Sequence, residues 1–135
     1  MSRHIESQRT DINCEPEKVY NFLGSFDNFE TLLPEQVENW QSTGDSCSFE
    51  VKGFAALGFR ITSKIPYSKI GMTGEGKLPF NFTFDTHIRE TGPGQCQVQS
   101  VIDADMNPFI AVVAEKPLQN FIDLIVIKLK EEMEK

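Results

Sequence analysis

No stretch of this 135-residue chain is apolar for long enough to cross a bilayer, and the segment from Met1 to Cys14 lacks the apolar core of a secretory signal. Membrane-spanning helices are therefore not expected, and the expected location is the cytoplasm. Positive charge is also scarce: thirteen Lys and Arg stand against twenty Asp and Glu, a net charge of −7. Such a field repels phosphate backbones and anionic lipid surfaces, which argues against nucleic-acid partners and stable membrane insertion. Cysteines are few and far apart. Cys14, Cys47 and Cys96 form none of the close pairs that metal sites and redox dithiols use, so they are expected to be small buried apolar residues.

Catalytic signatures are missing as well. There is no nucleophile elbow, dinucleotide fingerprint, zinc-protease helix or paired-cysteine site. Gly74-Glu75-Gly76-Lys77 lacks the spacing of a phosphate loop and precedes a strand, so it reads as a turn. His4 and His87 have no partners at metal-ligand spacing, and neither a metal nor a cofactor is expected. Asp103 and Asp105 would project to one side of an extended segment, where paired carboxylates can divide acid and base roles. Acidic residues ahead of a helix more often serve its dipole, and no catalytic residue is assigned.

What the chain does have is phenylalanine, eleven of them against one Trp and two Tyr. Many fall on a period of two. Residues 5 to 13 look extended, although Ile5 and Ile12 take opposite parity. Glu15-Pro16-Glu17-Lys18-Val19 opens a short helix with Val19, Phe22 and Leu23 on one side and Gly24 at its end. A second short helix over 27–33 turns Phe29, Leu32 and Leu33 inward and stops at Pro34. From Val37 the alternation dominates. Cys47, Phe49, Val51 and Gly53 share one face, as do Leu57, Phe59 and Ile61, while Glu50, Lys52 and Arg60 take the other. After turns at Pro66 and Gly74-Glu75-Gly76, Phe80, Phe82, Phe84 and Ile88 oppose Asn81, Thr83, Asp85, His87 and Arg89. The loop Thr91-Gly92-Pro93-Gly94 then leads to a strand with Val98, Ile102 and Ala104 on one face.

Asn107-Pro108 starts a long terminal helix with a capping residue and a proline at the first helical position. Leu118, Phe121, Ile122, Ile125, Leu129 and Met133 run along one side, and Pro117 predicts a kink or break just before it. Leu124 and Ile127 lie away from that stripe, which leaves a homodimer possible.

Glu15 to Leu23, Phe29 to Pro34, Asp105-Met106-Asn107-Pro108 and Lys116-Pro117-Leu118 are similar to the SRPBCC superfamily of START and polyketide-cyclase-like proteins, over nearly the full length. The resemblance implies an α+β helix-grip fold in a single domain spanning residues 1–135. About seven antiparallel strands would form a curved sheet around the long C-terminal helix, with two short helices after the first strand. It implies a cavity between sheet and helix, and it transfers no catalytic residue.

Alternation predicts the lining of that space: Phe49, Val51, Phe59, Ile61, Phe82, Phe84, Val98 and Ile102 from the sheet, roofed by Leu118, Ile122, Ile125 and Leu129. Trp40, with Tyr20 and Tyr67, could place a hydrogen-bonding tip at the rim. Three readings follow. An apolar cavity suits a protein that binds or carries a small hydrophobic ligand or lipid. A cyclase- or dehydratase-like enzyme would need at least two hydroxyl or ionisable groups within reach of each other inside. If the phenylalanines fill the interior, the fold is instead an interaction module marked by an exposed apolar patch.

Overall fold

The structure is a computed structural model that describes residues 2–33, 37–43, 45–51, 55–74 and 80–135. Pro34, Gly53, Lys52 and the Glu75-Gly76-Lys77 turn lie outside the described residues. Among the described residues, eight strands form one antiparallel sheet. They are β1 (Ser2–Glu6), β2 (Thr10–Ile12), β3 (Val37–Ser42), β4 (Ser46–Val51), β5 (Ala55–Ile65), β6 (Lys69–Gly74), β7 (Asn81–Gly92) and β8 (Gln95–Asp105). Their order is β1-β8-β7-β6-β5-β4-β3, with β2 also paired to β8.

The extended segment expected over residues 5–13 is two strands, both hydrogen-bonded to β8. The interruption at Ser7-Gln8-Arg9 resolves the parity conflict. A continuous strand would send Ile5 and Ile12 to opposite faces, whereas the break resets the alternation and both are buried. Helix α1 (Pro16–Leu23) follows, burying Val19 and Leu23 and leaving Phe22 half-buried. The second expected helix is one turn of α-helix, α2 (Phe26–Phe29), continued by a 3-10 turn over Glu30–Leu32. Phe26, Phe29, Leu32 and Leu33 are its buried side chains.

Helix α3 (Pro108–Met133) is laid lengthwise against the sheet. Its cap is the expected one: the Asn107 side chain accepts a hydrogen bond from the Ile110 N–H at 2.9 Å. Replacing Asn107 with Ala should cost about 1 kcal/mol of stability in a chemical unfolding titration. No break occurs at Pro117, and the helix runs through it. Proline removes the hydrogen bond that residue 117 would donate to the Val113 carbonyl. Both residues lie on the exposed side, where water can serve that carbonyl.

Side chains stitch α3 along the β1–β2 edge in a parallel sense. Gln119 donates to the Glu6 carbonyl at 2.7 Å, and the Gln8 N–H donates to Asp123 at 3.0 Å. Further along, Lys130 donates to the Asp11 carbonyl at 2.8 Å and the Asn13 N–H donates to Glu134 at 2.9 Å. On its other flank Lys128 donates to the Leu33 carbonyl at 2.9 Å. The helix is thus held between the sheet edge and the short helices, with Ala111, Ala114, Leu118, Phe121, Ile122, Ile125, Val126 and Leu129 turned inward. Among the described residues, no helix is long and apolar enough to cross a membrane.

Among the described residues, two non-glycine residues hold positive φ. Asn39 (φ 56) sits at the register shift between β3 and β4, its side-chain amide 2.6 Å from Glu50. Tyr67 (φ 61) takes the position in the Ile65–Ser68 turn where a left-handed residue is required. Its ring packs edge-on against Tyr20 at 5.7 Å.

Candidate functional site

The site is built from cross-strand rows, because residues opposite each other in an antiparallel ladder share a face. One row on the concave side runs Ile5, Ile102, Phe84, Met72, Ile61. The row toward the start of α3 runs Arg3, Ala104, Phe82. The row in the other direction contains Ser100, Thr86 and Ile70. Of the residues expected to line this face, Phe49, Phe59, Phe82, Phe84, Val98 and Ile102 are buried and meet Leu118, Ile122, Ile125 and Leu129 of α3 in one cluster. Ile61 and Trp40 are half-buried against it. The side chain of Val51 lies outside the described part of the structure.

Phe121 is the centre of this cluster, although it does not stand out from its neighbours in the helical stripe. Its ring stacks on Phe49 at 6.0 Å and 18°, meets Phe84 edge-on at 6.3 Å, and lies 6.5 Å from Phe59. Phe29 and Trp40 extend the stack, with Phe29–Trp40 at 6.3 Å and Trp40–Phe49 at 5.8 Å. These are contact distances for aromatic rings. At the level of Phe121, helix and sheet therefore touch directly through side chains.

Toward the N-terminal half of α3 the lining changes. Ala111 and Ala114 are the buried helix residues of its first two turns, ahead of Leu118, and Ala104, Met106, Phe80 and Phe82 are buried on or next to the sheet. At this end α3 contributes small side chains, while the sheet side keeps ring contacts between Phe82 and Phe59 at 5.4 Å and between Phe80 and Phe82 at 5.8 Å. Arg3 enters this region from the edge strand and is half-buried.

Among the described residues, three polar side chains are buried on or beside the concave face: Ser7, Thr86 and Ser100. Thr86 Oγ1 and Ser100 Oγ are 2.9 Å apart. Ser7 Oγ accepts from the Ser100 N–H at 2.9 Å and donates to the Gln8 carbonyl at 3.0 Å. Sequence reasoning named none of the three. The signal was available, since Ser100 shares parity with Val98 and Ile102, and Thr86 with Phe84 and Ile88.

The remaining chemical groups lie elsewhere. Asp103 and Asp105 are exposed on the convex face. Asp103 accepts from His4 Nδ1 at 2.7 Å while Glu6 accepts from Nε2 at 2.8 Å. Held between two carboxylates, first by Asp103 and then by Glu6, His4 has a raised pKa. Its contribution to stability is present below its unfolded-state pKa and is lost as pH rises through the folded value. Glu50, Arg60 and His87 are exposed, and Asp85 is partly so, all as expected.

All three cysteines are buried. Burial, with the neighbouring Cys14 adding to it, pushes the Cys96 thiol up to about 11, so it stays protonated and unreactive at neutral pH. No cluster of His, Cys, Asp or Glu suited to a metal occurs among the described residues. Surface grooves of ≈ 350 Å³ beside Thr43 and Ser48 and ≈ 180 Å³ between Arg9, His87 and Arg89 lie outside the sheet–helix interior.

No family model and no curated protein matches the chain. Solved structures do. A START superfamily protein from Mycobacterium smegmatis superposes with a TM-score of 0.72 at 12% identity, covering 97% of this chain and 97% of that one. The fold is the helix grip. Norcoclaurine synthase from Thalictrum flavum, solved in complex with dopamine and hydroxybenzaldehyde, gives a TM-score of 0.75 at 12% identity, covering 97% and 86%. The protein XoxI from Bacillus cereus gives 0.76 at 14% identity, covering 96% and 94%. At these identities the likeness establishes the helix grip alone, and some of the structural neighbours are enzymes.

Proposed function

We propose that this protein binds a small hydrophobic molecule between the concave face and the N-terminal half of α3, as a binding or carrier protein. The observation that carries the reading is the graded interior. Interlocked phenylalanines close the space around Phe121, while alanines at 104, 111 and 114 border it nearer the start of α3. A guest seated there would meet apolar walls and a floor of aromatic rings, the usual composition of a small-molecule site. That a neighbour of the same fold was solved with two small aromatic molecules supports this class of guest.

The cyclase- or dehydratase-like alternative is less well supported. Thr86 and Ser100 do place two hydroxyls within reach of each other inside. Among the described residues neither is hydrogen-bonded to a carboxylate or imidazole that could take its proton, and general base catalysis needs such a partner.

A second reading rests on a specific observation. Phe109, Val112 and Val113 project from the first turns of α3 at 88%, 82% and 65% exposure, an apolar stripe of the kind that marks a protein contact. Native mass spectrometry of protein purified at low temperature without detergent separates the two. Ligand binding predicts a fraction of molecules carrying an extra small mass that organic extraction removes. The bare chain mass throughout, with no uptake of added apolar compounds, would exclude the carrier and favour the interaction module.

A further inference from the structure

One side chain on the concave face is out of keeping with its surroundings. Arg3 pairs with Ala104, between the Ser2–Asp105 and His4–Asp103 pairs of the β1–β8 ladder. Alternation turns it to the side of Ile5 and Ile102, away from His4 and Asp103. Its Nε is closed off from solvent and has no hydrogen-bond partner among the described residues. A guanidinium donor removed from water without an acceptor is destabilising, and the loss is recovered when an acceptor arrives.

The stitching of α3 to the strand edge shows what lies beside it. Gln119 marks the level of Glu6 and Asp123 the level of Gln8. Three strand residues back from Glu6 is about 10 Å, or roughly six to seven helical residues. Arg3 is thus level with the turn whose buried side chains are Ala111 and Ala114. The acidic residues nearby face away. Asp103 holds His4 on the convex side, Asp105 shares that side, and Glu115 is on the exposed side of α3.

We infer that Arg3 anchors the carboxylate of an amphipathic ligand whose apolar part extends past Phe82 toward the aromatic floor. This rests on the ligand-binding reading and narrows it to a class of guest. A single guanidinium balances a monoanion, and its planar fork fits both carboxylate oxygens. The half-buried position places the charged group at the mouth and the tail inside.

The test compares decanoate with decanol, equal in chain length and different in charge, by isothermal titration on the wild-type chain, Arg3→Met and Arg3→Lys. Wild type should bind decanoate about tenfold or more tighter than decanol, the range expected of a charge-assisted pair. Arg3→Met should abolish that preference, keep decanol binding, and melt no lower than wild type without ligand, because it removes an unpaired buried donor. Arg3→Lys should retain part of the preference. Equal binding of the two compounds by wild type, or a preference that survives in Arg3→Met, would overturn the inference and leave the ligand-binding reading intact. A ligand-free Arg3→Met that melts well below wild type would show that Arg3 serves the fold, and would also overturn it. Failure of wild type to bind either compound would remove both.

Discussion

Replacing Phe121 with alanine is expected to destabilise the protein by about 3–5 kcal/mol, the range for deleting a buried phenylalanine ring. Phe121 is the ring through which α3 touches Phe49, Phe59 and Phe84, which lie on β4, β5 and β7. Its removal strips contacts from three strands at once, and those strands cannot close over the vacancy without bending the sheet. In a thermal melt the loss corresponds to a fall of roughly 10 °C or more. A change below about 1 kcal/mol would mean that the rings do not interlock in solution. The proposed guest site would then have no aromatic floor.

Much of this architecture was readable from residue order. Alternation runs unbroken from Asn81 to Glu90 on β7 and from Cys96 to Asp105 on β8, so Phe82, Phe84, Val98 and Ile102 could be assigned a face without coordinates. The start of α3 was equally plain, because Asn107-Pro108 combines a side-chain acceptor with a residue that needs no N–H partner. Where the reading failed, the periodicity had been broken. The interruption at Ser7-Gln8-Arg9 shifts parity between Ile5 and Ile12, which made β1 look irregular and hid Arg3 on the same face as Ile5. The register shift between Ile61 and Ser63 has a similar effect on β5. Pro117 was expected to break the helix, but its cost depends on whether water reaches the Val113 carbonyl, and that is a tertiary property. The prominence of Phe121 among the stripe residues was out of reach for a related reason. The helical period shows which residues face inward, but only the angle and height of α3 over the sheet decide which one meets three strands.

The hydroxyl pair offers a sharper test of how the interior is used. Ser100→Ala alone should cost about 1–3 kcal/mol, because it leaves the Thr86 hydroxyl buried without its partner. Thr86→Val alone should cost a similar amount by stranding Ser100. The double substitution removes both polar groups together and should cost much less than the sum, giving a coupling of roughly 1–2 kcal/mol in a double-mutant cycle measured by denaturant unfolding. The Ser100 N–H keeps its bond to Ser7 Oγ in every variant, so the backbone ladder offers no competing explanation. Additive losses would carry the opposite meaning. Each hydroxyl would then be satisfied by something other than its neighbour, as two groups reserved for the polar atoms of a guest would be. The cyclase-like alternative would then gain two hydroxyls that are available to a guest as well as 2.9 Å from each other.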